Sequence, residues 1–316
     1  MSDNALIEQL DQAIDALLTG GSPATGPELA ALSEIAASLC DLPDERFLRR
    51  LKTDLQRRAS MPAATVAPVR EGFHTITPFI TVPNAPELIE FLKQTFDAEE
   101  TSRRQRHGGG FVASLKIDDS GLLIMGDEGL RGQERTGAFH VYVPDCDATY
   151  RRAVEAGATS LGEPADHPYG ERAGFVQDVA GNHWYIGTHL GAAPALENRW
   201  NVTPFVHPSS AHKHIDFLTR AFGAKQLALH EASGRVVYAA VLIGDAVLEM
   251  GEAPNPQRSG FYLFVEDCDA VYQRAIEAGA TSLWPPADQP YGDRIAGLVD
   301  PFGYQWIPAT HIKDVR

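Results

Sequence analysis

Glu155-Ala156-Gly157-Ala158-Thr159-Ser160-Leu161 returns unchanged as Glu277-Ala278-Gly279-Ala280-Thr281-Ser282-Leu283, 122 positions further on. The same offset carries Asp145-Cys146-Asp147-Ala148 to Asp267-Cys268-Asp269-Ala270, and Pro168-Tyr169-Gly170 to Pro290-Tyr291-Gly292. It also carries Arg172 to Arg294, Trp184 to Trp306 and Thr188-His189 to Thr310-His311. Towards the front, Thr77-Pro78-Phe79 returns as Thr203-Pro204-Phe205 at a slightly larger offset, so a few residues were lost in between. A repeat this long is one structural unit written twice. Its copies span residues 73–190 and 200–313.

Each copy reads alike. An extended stretch (Ile76 to Val82; Val202 to His207) precedes a helix whose N-cap is Asn84 or Ser209/Ser210, with Pro86 suited to the first turn. Leu88, Phe91 and Leu92, and later Ile215, Leu218 and Phe222, give that helix one apolar face. Short alternating strands follow, then a second extended stretch (Phe139 to Val143; Phe261 to Val265) and a second helix from Asp147 or Asp269. Gly157 and Gly279 end that helix, as glycine commonly does just past a C-terminus. Two more strands close the copy. The order is β-α-β-β-β, twice per copy, an α+β class.

Residues 1–60 differ. Leu6, Leu10, Ala13 and Leu17, then Leu29, Leu32, Ala36 and Leu39, then Phe47, Leu51 and Leu55 recur at helical spacing, which predicts a small unit of three helices. Residues 61–72 read as a Pro/Ala linker. The chain has 316 residues, 44% of them hydrophobic and 22% charged, a globular composition. Its formal net charge of −15 repels phosphate backbones and anionic lipid, so neither nucleic acid nor a membrane is expected as partner. The start, Met1-Ser2-Asp3-Asn4, has no basic n-region or apolar core of a secretory signal. Cys40, Cys146 and Cys268 form no CxxC and read as reduced packing residues, so a cytoplasmic location is expected.

These words and paired β-α-β-β-β modules resemble the vicinal-oxygen-chelate superfamily of glyoxalases, extradiol dioxygenases and bleomycin-resistance proteins, in its PhnB-like branch. The stretches that carry the resemblance include Ala221-Phe222-Gly223-Ala224, Val241-Leu242-Ile243-Gly244-Asp245, Tyr291-Gly292-Asp293-Arg294 and Asp300-Pro301-Phe302-Gly303-Tyr304-Gln305-Trp306. In the first copy Asp178-Val179-Ala180-Gly181-Asn182 stands where the last of these begins. The resemblance implies two tandem domains, each a curved, cup-shaped sheet enclosing a small molecule. Relatives that use a metal place one ligand on each of four cup-lining strands. That pattern falls on Thr77, Ile124, Ala138 and Tyr185 in the first copy, and on Thr203, Glu249, Gly260 and Ile307 in the second. Glu249 alone among these is a usual ligand, so no metal and no cofactor are expected. The histidine many PhnB-like proteins carry on the third strand is replaced by Val112 and Tyr238.

Strand alternation puts residues two apart on one side. The expected cup lining is Thr77, Phe79, His140, His183 and Tyr185, then Thr203, Phe205, His207, Tyr238, Glu249, Tyr262 and Gln305, with Arg294 in an adjoining loop. Trp184 and Trp306 belong to the core, and His189 and His311, at the end of the last strand, read as surface or capping groups. Glu249 is the candidate functional acid, since a carboxylate on an apolar wall is costly unless used. Ile124 is its expected counterpart in the first copy, so the two cups should differ. Three functions fit: a metal-independent binder that sequesters an aromatic or cationic compound; a lyase, isomerase or dioxygenase with Glu249 or a histidine as base, or a metal at another register; and an interaction protein whose helical unit docks a partner. The copies pair either within the chain, as a pseudo-dimer, or through a homodimer.

Overall fold

The computed structural model describes residues 69, 72–106, 109–131, 134–191, 200–253 and 258–312. The chain divides into two units, Met1–Thr65 and Val66–Arg316. The expected helical unit, most of the linker and Cys40 therefore lie outside the described residues.

The second unit repeats one module four times. The first module is β1 (Ile76–Val82), α1 (Ala85–Phe96), β2 (Glu99–Gln105), β3 (Phe111–Ile117) and β4 (Ser120–Gly126). The second is β5 (Ala138–Tyr142), α2 (Cys146–Glu155), β6 (Thr159–His167), β7 (Glu171–Gln177) and β8 (His183–His189). The third is β9 (Val202–Val206), α3 (Ala211–Phe222), β10 (Lys225–Ala232), β11 (Arg235–Ile243) and β12 (Ala246–Met250). The fourth is β13 (Gly260–Phe264), α4 (Cys268–Glu277), β14 (Thr281–Asp288), β15 (Asp293–Val299) and β16 (Gln305–His311). Asp145 and Asp267 cap α2 and α4 by accepting from the N–H groups of Ala148 and Ala270. Asn84 and Ser210 occupy the N-caps of α1 and α3 without a side-chain capping bond, and the Asn84 amide donates instead to the Val179 carbonyl.

The sheets cross between the copies. One runs β14-β15-β16-β13-β1-β4-β3-β2, the other β10-β11-β12-β9-β5-β8-β7-β6. Each is thus built from the first module of one copy and the second module of the other. This differs from the expectation that residues 73–190 and 200–313 each enclose a cup of their own. The helix side is built mainly within a copy: α1 and α2 share one apolar core, to which the other copy adds Val202, with Trp184 fully buried between Phe96 and Phe139. In the second copy Trp306 lies between Phe222 and Phe261. Burying an aromatic of this size is worth about 5 kcal/mol at 25 cal/mol per Å². Asp178 and Asp300 take the two indole N–H groups at 2.9 and 3.0 Å and also cap their own turns, so the divergent Asp178-Val179-Ala180 turn does the same work as Asp300-Pro301-Phe302.

The joints between copies are short antiparallel contacts, Ile76 to Pro78 against Phe261 to Leu263 and Ala138 to Val141 against Val202 to Phe205. Hairpin-turn aspartates lock them. Asp245 accepts from the Thr75 N–H at 2.9 Å, and Asp119 accepts from the Asn201 N–H at 2.8 Å. Between these bonds the rings of His74 and Trp200 stack at 3.5 Å. Burial alone would raise the Asp245 carboxyl, but the bonds from His74 and Thr75 outweigh it and hold the group at about 2. Among the described residues, no helix is long and apolar enough to cross a membrane.

Two outcomes follow from the crossing. Asp245→Ala should lose about 2 kcal/mol in urea unfolding at pH 7. Because the folded carboxyl is depressed, its contribution is present above about pH 4 and fades as pH falls through about 2. A loss unchanged at pH 2 would contradict the clamp. A protein of residues 72–191 alone should elute as a dimer, since β1 and β5 would both lack their neighbours; a stable monomer would refute the crossed pairing.

Candidate functional site

The cup of the β10-to-β6 sheet collects the polar residues. Alternation sends Phe139, Val141, Trp184, Ile186, Leu248 and Met250 to the helix side. Their neighbours His140, Tyr142, His183, Tyr185 and Glu249 therefore face the concave side. At the joint His140 lies opposite Thr203, and Glu249 lies beside Phe205 on the next strand. Two side chains from different copies are thereby brought into bonding range. His140 Nδ1 is 3.1 Å from Glu249 Oε2.

A network of polar groups surrounds this pair. The Tyr238 hydroxyl donates to Glu249 Oε1 at 2.9 Å, and the Tyr142 hydroxyl donates to Glu171 Oε1 at 2.9 Å. His140 Nε2 stands 3.4 Å from Glu171 Oε2, an ion-pair distance. His189 Nδ1 lies 3.6 Å from Glu171 Oε1 and its ring stacks on Tyr142. Glu249 is fully buried. Burial works against a charged His140, yet the bonds to Glu171 and Glu249 prevail and raise the ring to about 9. Glu171 is held low in the same way, its burial outweighed by His140 and Tyr142. At neutral pH this floor is an imidazolium between two carboxylates.

Above the floor stands an aromatic wall. Tyr185 packs edge-on against Phe175 at 5.2 Å and against Phe205 at 5.3 Å, and Phe205 packs on His207 at 5.0 Å. The Tyr185 hydroxyl is 3.2 Å from His207 Nε2. Burial, with the nearby His183, drives His207 down to about 4, and burial lowers His183 too. Both rings are therefore neutral at pH 7.

The other cup is greasy. Phe79, Phe264, Ile295, Ile307 and Ala309 form a buried cluster against which Leu123, Met125, Tyr262 and Phe73 pack. Phe79 pairs with Leu123 in register as Phe205 pairs with Glu249. Leu123 is thus the counterpart of Glu249; the expected Ile124 faces the helices, fully buried in the first copy's core. The expected ligand positions Ala138 and Gly260 also lie one pleat away from His140 and Tyr262, the bulky cup-facing groups of their strands. Burial pushes the Tyr262 hydroxyl well above the ordinary tyrosine range.

Of the residues expected from sequence, His140, His183, Tyr185, Phe205, His207, Tyr238 and Glu249 converge on one cup, and Phe79, Tyr262 and Gln305 belong to the other sheet. Thr77 and Thr203 are buried but spend their hydroxyls on the carbonyls of His74 and Trp200. Arg294 does not contact the cup network. It is clamped by Asp269 at 2.8 Å and Asp288 at 2.7 Å, as Arg172 is by Asp147 and Asp166, a structural tie from strand to helix. Glu171 and His189 were missed. His189 is partly exposed beside Glu171, and His311 likewise pairs with Asp293 at 2.9 Å. An acid and a histidine 18 residues apart in both copies was the available signal.

The strands that carry metal ligands in metal-using relatives present Thr203, Glu249, His140 and Tyr185 here. These do not fit a resident metal: the one imidazole and the one carboxylate are bonded to each other, and the two hydroxyls are otherwise engaged. Among the described residues, no group of three or more His, Cys, Asp or Glu is placed to hold an ion.

Comparison with known proteins agrees with this architecture. The uncharacterized protein Mb0911c of Mycobacterium bovis is 34% identical over 135 residues, covering 37% of this chain and 89% of its own. Rv0887c of Mycobacterium tuberculosis is likewise 34% identical, over 79% of its length. The crystal structure of glyoxalase I from Zea mays superposes with a TM-score of 0.59 at 16% identity, over 74% of this chain and 91% of that one, a likeness of fold. The sequence pattern of the Glyoxalase/Bleomycin resistance protein/Dioxygenase superfamily matches residues 72–186 and 208–307, and the chain belongs to that superfamily.

Proposed function

We propose that the chain binds a small aromatic or cationic molecule in the cup floored by His140, Glu171 and Glu249, and holds it without a resident metal. The observation that carries this reading is the fully buried Glu249, bonded to His140 from the other copy, beneath half-buried aromatic rings. Two carboxylates against one imidazolium leave the floor with a net charge of about −1. Such a floor draws in an organic cation, and rings like Tyr185 and Phe205 add about 0.5–2 kcal/mol per stacked contact. Both Glu249 oxygens are already engaged by Tyr238 and His140, so a ligand meets a carboxylate held by its own partners rather than a base poised to take its proton. This favours sequestration over turnover. The crossed sheets support treating the two copies as a pseudo-dimer within the chain. A cytoplasmic setting accords with the buried free thiols of Cys146 and Cys268.

A thermal-shift and calorimetry panel of planar organic cations, with neutral and anionic analogues, tests this directly. Glu249→Gln should weaken the preferred cation by about tenfold, or 1.4 kcal/mol. Equal binding of all three charge types, or a metal ion bound stoichiometrically by the purified protein, would overturn the reading.

The floor also sets a pH profile. His140 loses its proton as pH rises through about 9, so the floor gains negative charge and cation affinity should climb there. His207 gains a proton as pH falls through about 4, and affinity should drop. The fold responds with its own signs: the His140 contribution is full below about pH 6.5 and lost through about 9, and the His207 contribution is present above 6.5 and lost through about 4. Calorimetry between pH 3 and 10, with the His140 ring followed by NMR, reads both. A ring that titrates near 6.5 would remove the proposed floor.

A further inference from the structure

The greasy cup carries charge of the opposite sign at one end. Past its joint with β13, β1 is paired by the segment before β5. The Thr81 N–H donates to the Arg135 carbonyl at 3.0 Å, and the Arg135 N–H donates to the Thr81 carbonyl at 2.9 Å. Residues opposed in this way project to the same side of a sheet. Thr81 shares its side with Phe79, so Arg135 lies on the concave face. Gly260 leaves room for it: a Cβ there would stand 3.7 Å from Arg135 Cδ and 3.8 Å from Phe79 Cδ1.

Nothing in the described residues neutralises this arginine. Arg135 is half-buried, with no hydrogen bond or ion pair from its guanidinium to a carboxylate among them. Burial lowers its pKa, and the like charge of Arg258, two residues before β13 opens at Gly260, lowers it further. Thr81 is 3% exposed, and its hydroxyl also has no hydrogen-bond partner among the described residues. A half-buried arginine beside an orphaned buried hydroxyl is costly in isolation, and the exposed Arg258 adds a second positive charge nearby. All three are groups an oxyanion satisfies.

We propose that this end of the cup is a second, separate site, for a small molecule with an apolar body and an anionic carboxylate or phosphate head. The head lies between Arg135 and Arg258 and accepts from the Thr81 hydroxyl; the body rests on Phe79 and Met125. The body is short, because the far end of the cup is filled by the chain itself. Phe73 packs there against Phe264 at 5.9 Å, over a glycine, Gly121, whose Cβ would meet its ring at 2.5 Å. With a chain charge of −15, long-range steering opposes an anion, so selectivity rests on contact.

The test is calorimetric titration of the full chain with 2-naphthoate, 2-naphthyl phosphate and the neutral 2-naphthylmethanol. One anion per chain should bind, at least about tenfold tighter than the alcohol, and the tighter of the two anions identifies the head. Arg135→Gln should weaken it by about tenfold, and Arg258→Gln by less. Arg131→Gln, which removes the same charge from an exposed pair with Glu128, should change nothing. Thr81→Val, equal in size, should weaken binding several-fold and reads the site even if Arg135→Gln unfolds. The proposal is overturned by absent saturable binding, by an alcohol that binds as well as the anions, or by Thr81→Val and Arg135→Gln behaving like Arg131→Gln.

Discussion

Everything in the repeated unit depends on where the two copies cross. Each joint is only three or four residue pairs long, far less backbone bonding than the strands share within a module. Such a joint needs its register fixed from outside. Asp119 and Asp245 supply this by bonding the backbone ahead of the opposite copy's first strand, with His74 and Trp200 stacked between them. A slip of one residue would turn His140 away from the cup and Val141 into it. The turn aspartates thus guard the chemistry of a site they do not touch.

The crossing explains how one fold presents two unlike hollows. Equivalent positions hold Glu249 and Leu123, His140 and Tyr262, and Tyr185 and Ile307. Three replacements convert an ionised, hydrogen-bonded floor into an apolar one, while the acid–histidine pairs Glu171–His189 and Asp293–His311 persist at both rims. Burial dictates the consistency of each set. A carboxylate as buried as Glu249 needs its imidazolium and its tyrosine; remove the carboxylate and the partners become liabilities.

Much of this was legible in the residues. Repeat words and strand alternation identified the modules, the caps at Asp145 and Asp267 within two residues, and the cup-facing sides of β5, β8 and β16, because burial imposes a period of two on any strand with one wet face. Partner choice was not legible. A strand facing a cup shows the same alternation whether its neighbour comes from its own copy or the other, so the meeting of His140 with Glu249 left no local trace. Leu123 was misread as Ile124 because the offset differs between the front and back of the repeat, and a shift of one reverses the face. Glu171 was not legible because its partner His140 lies on another strand, and only the folded sheet brings the two within 3.4 Å.

Joining the copies in one polypeptide has a further effect. In an assembly of two identical subunits, any change to one hollow is copied into the other by symmetry, so both must keep the same tenant. Here each hollow has its own stretch of coding sequence on either side of the joint, and a glutamate gained at position 249 leaves position 123 untouched. Fusion gives the pair freedom to specialise, and it does so while making each half indispensable to both.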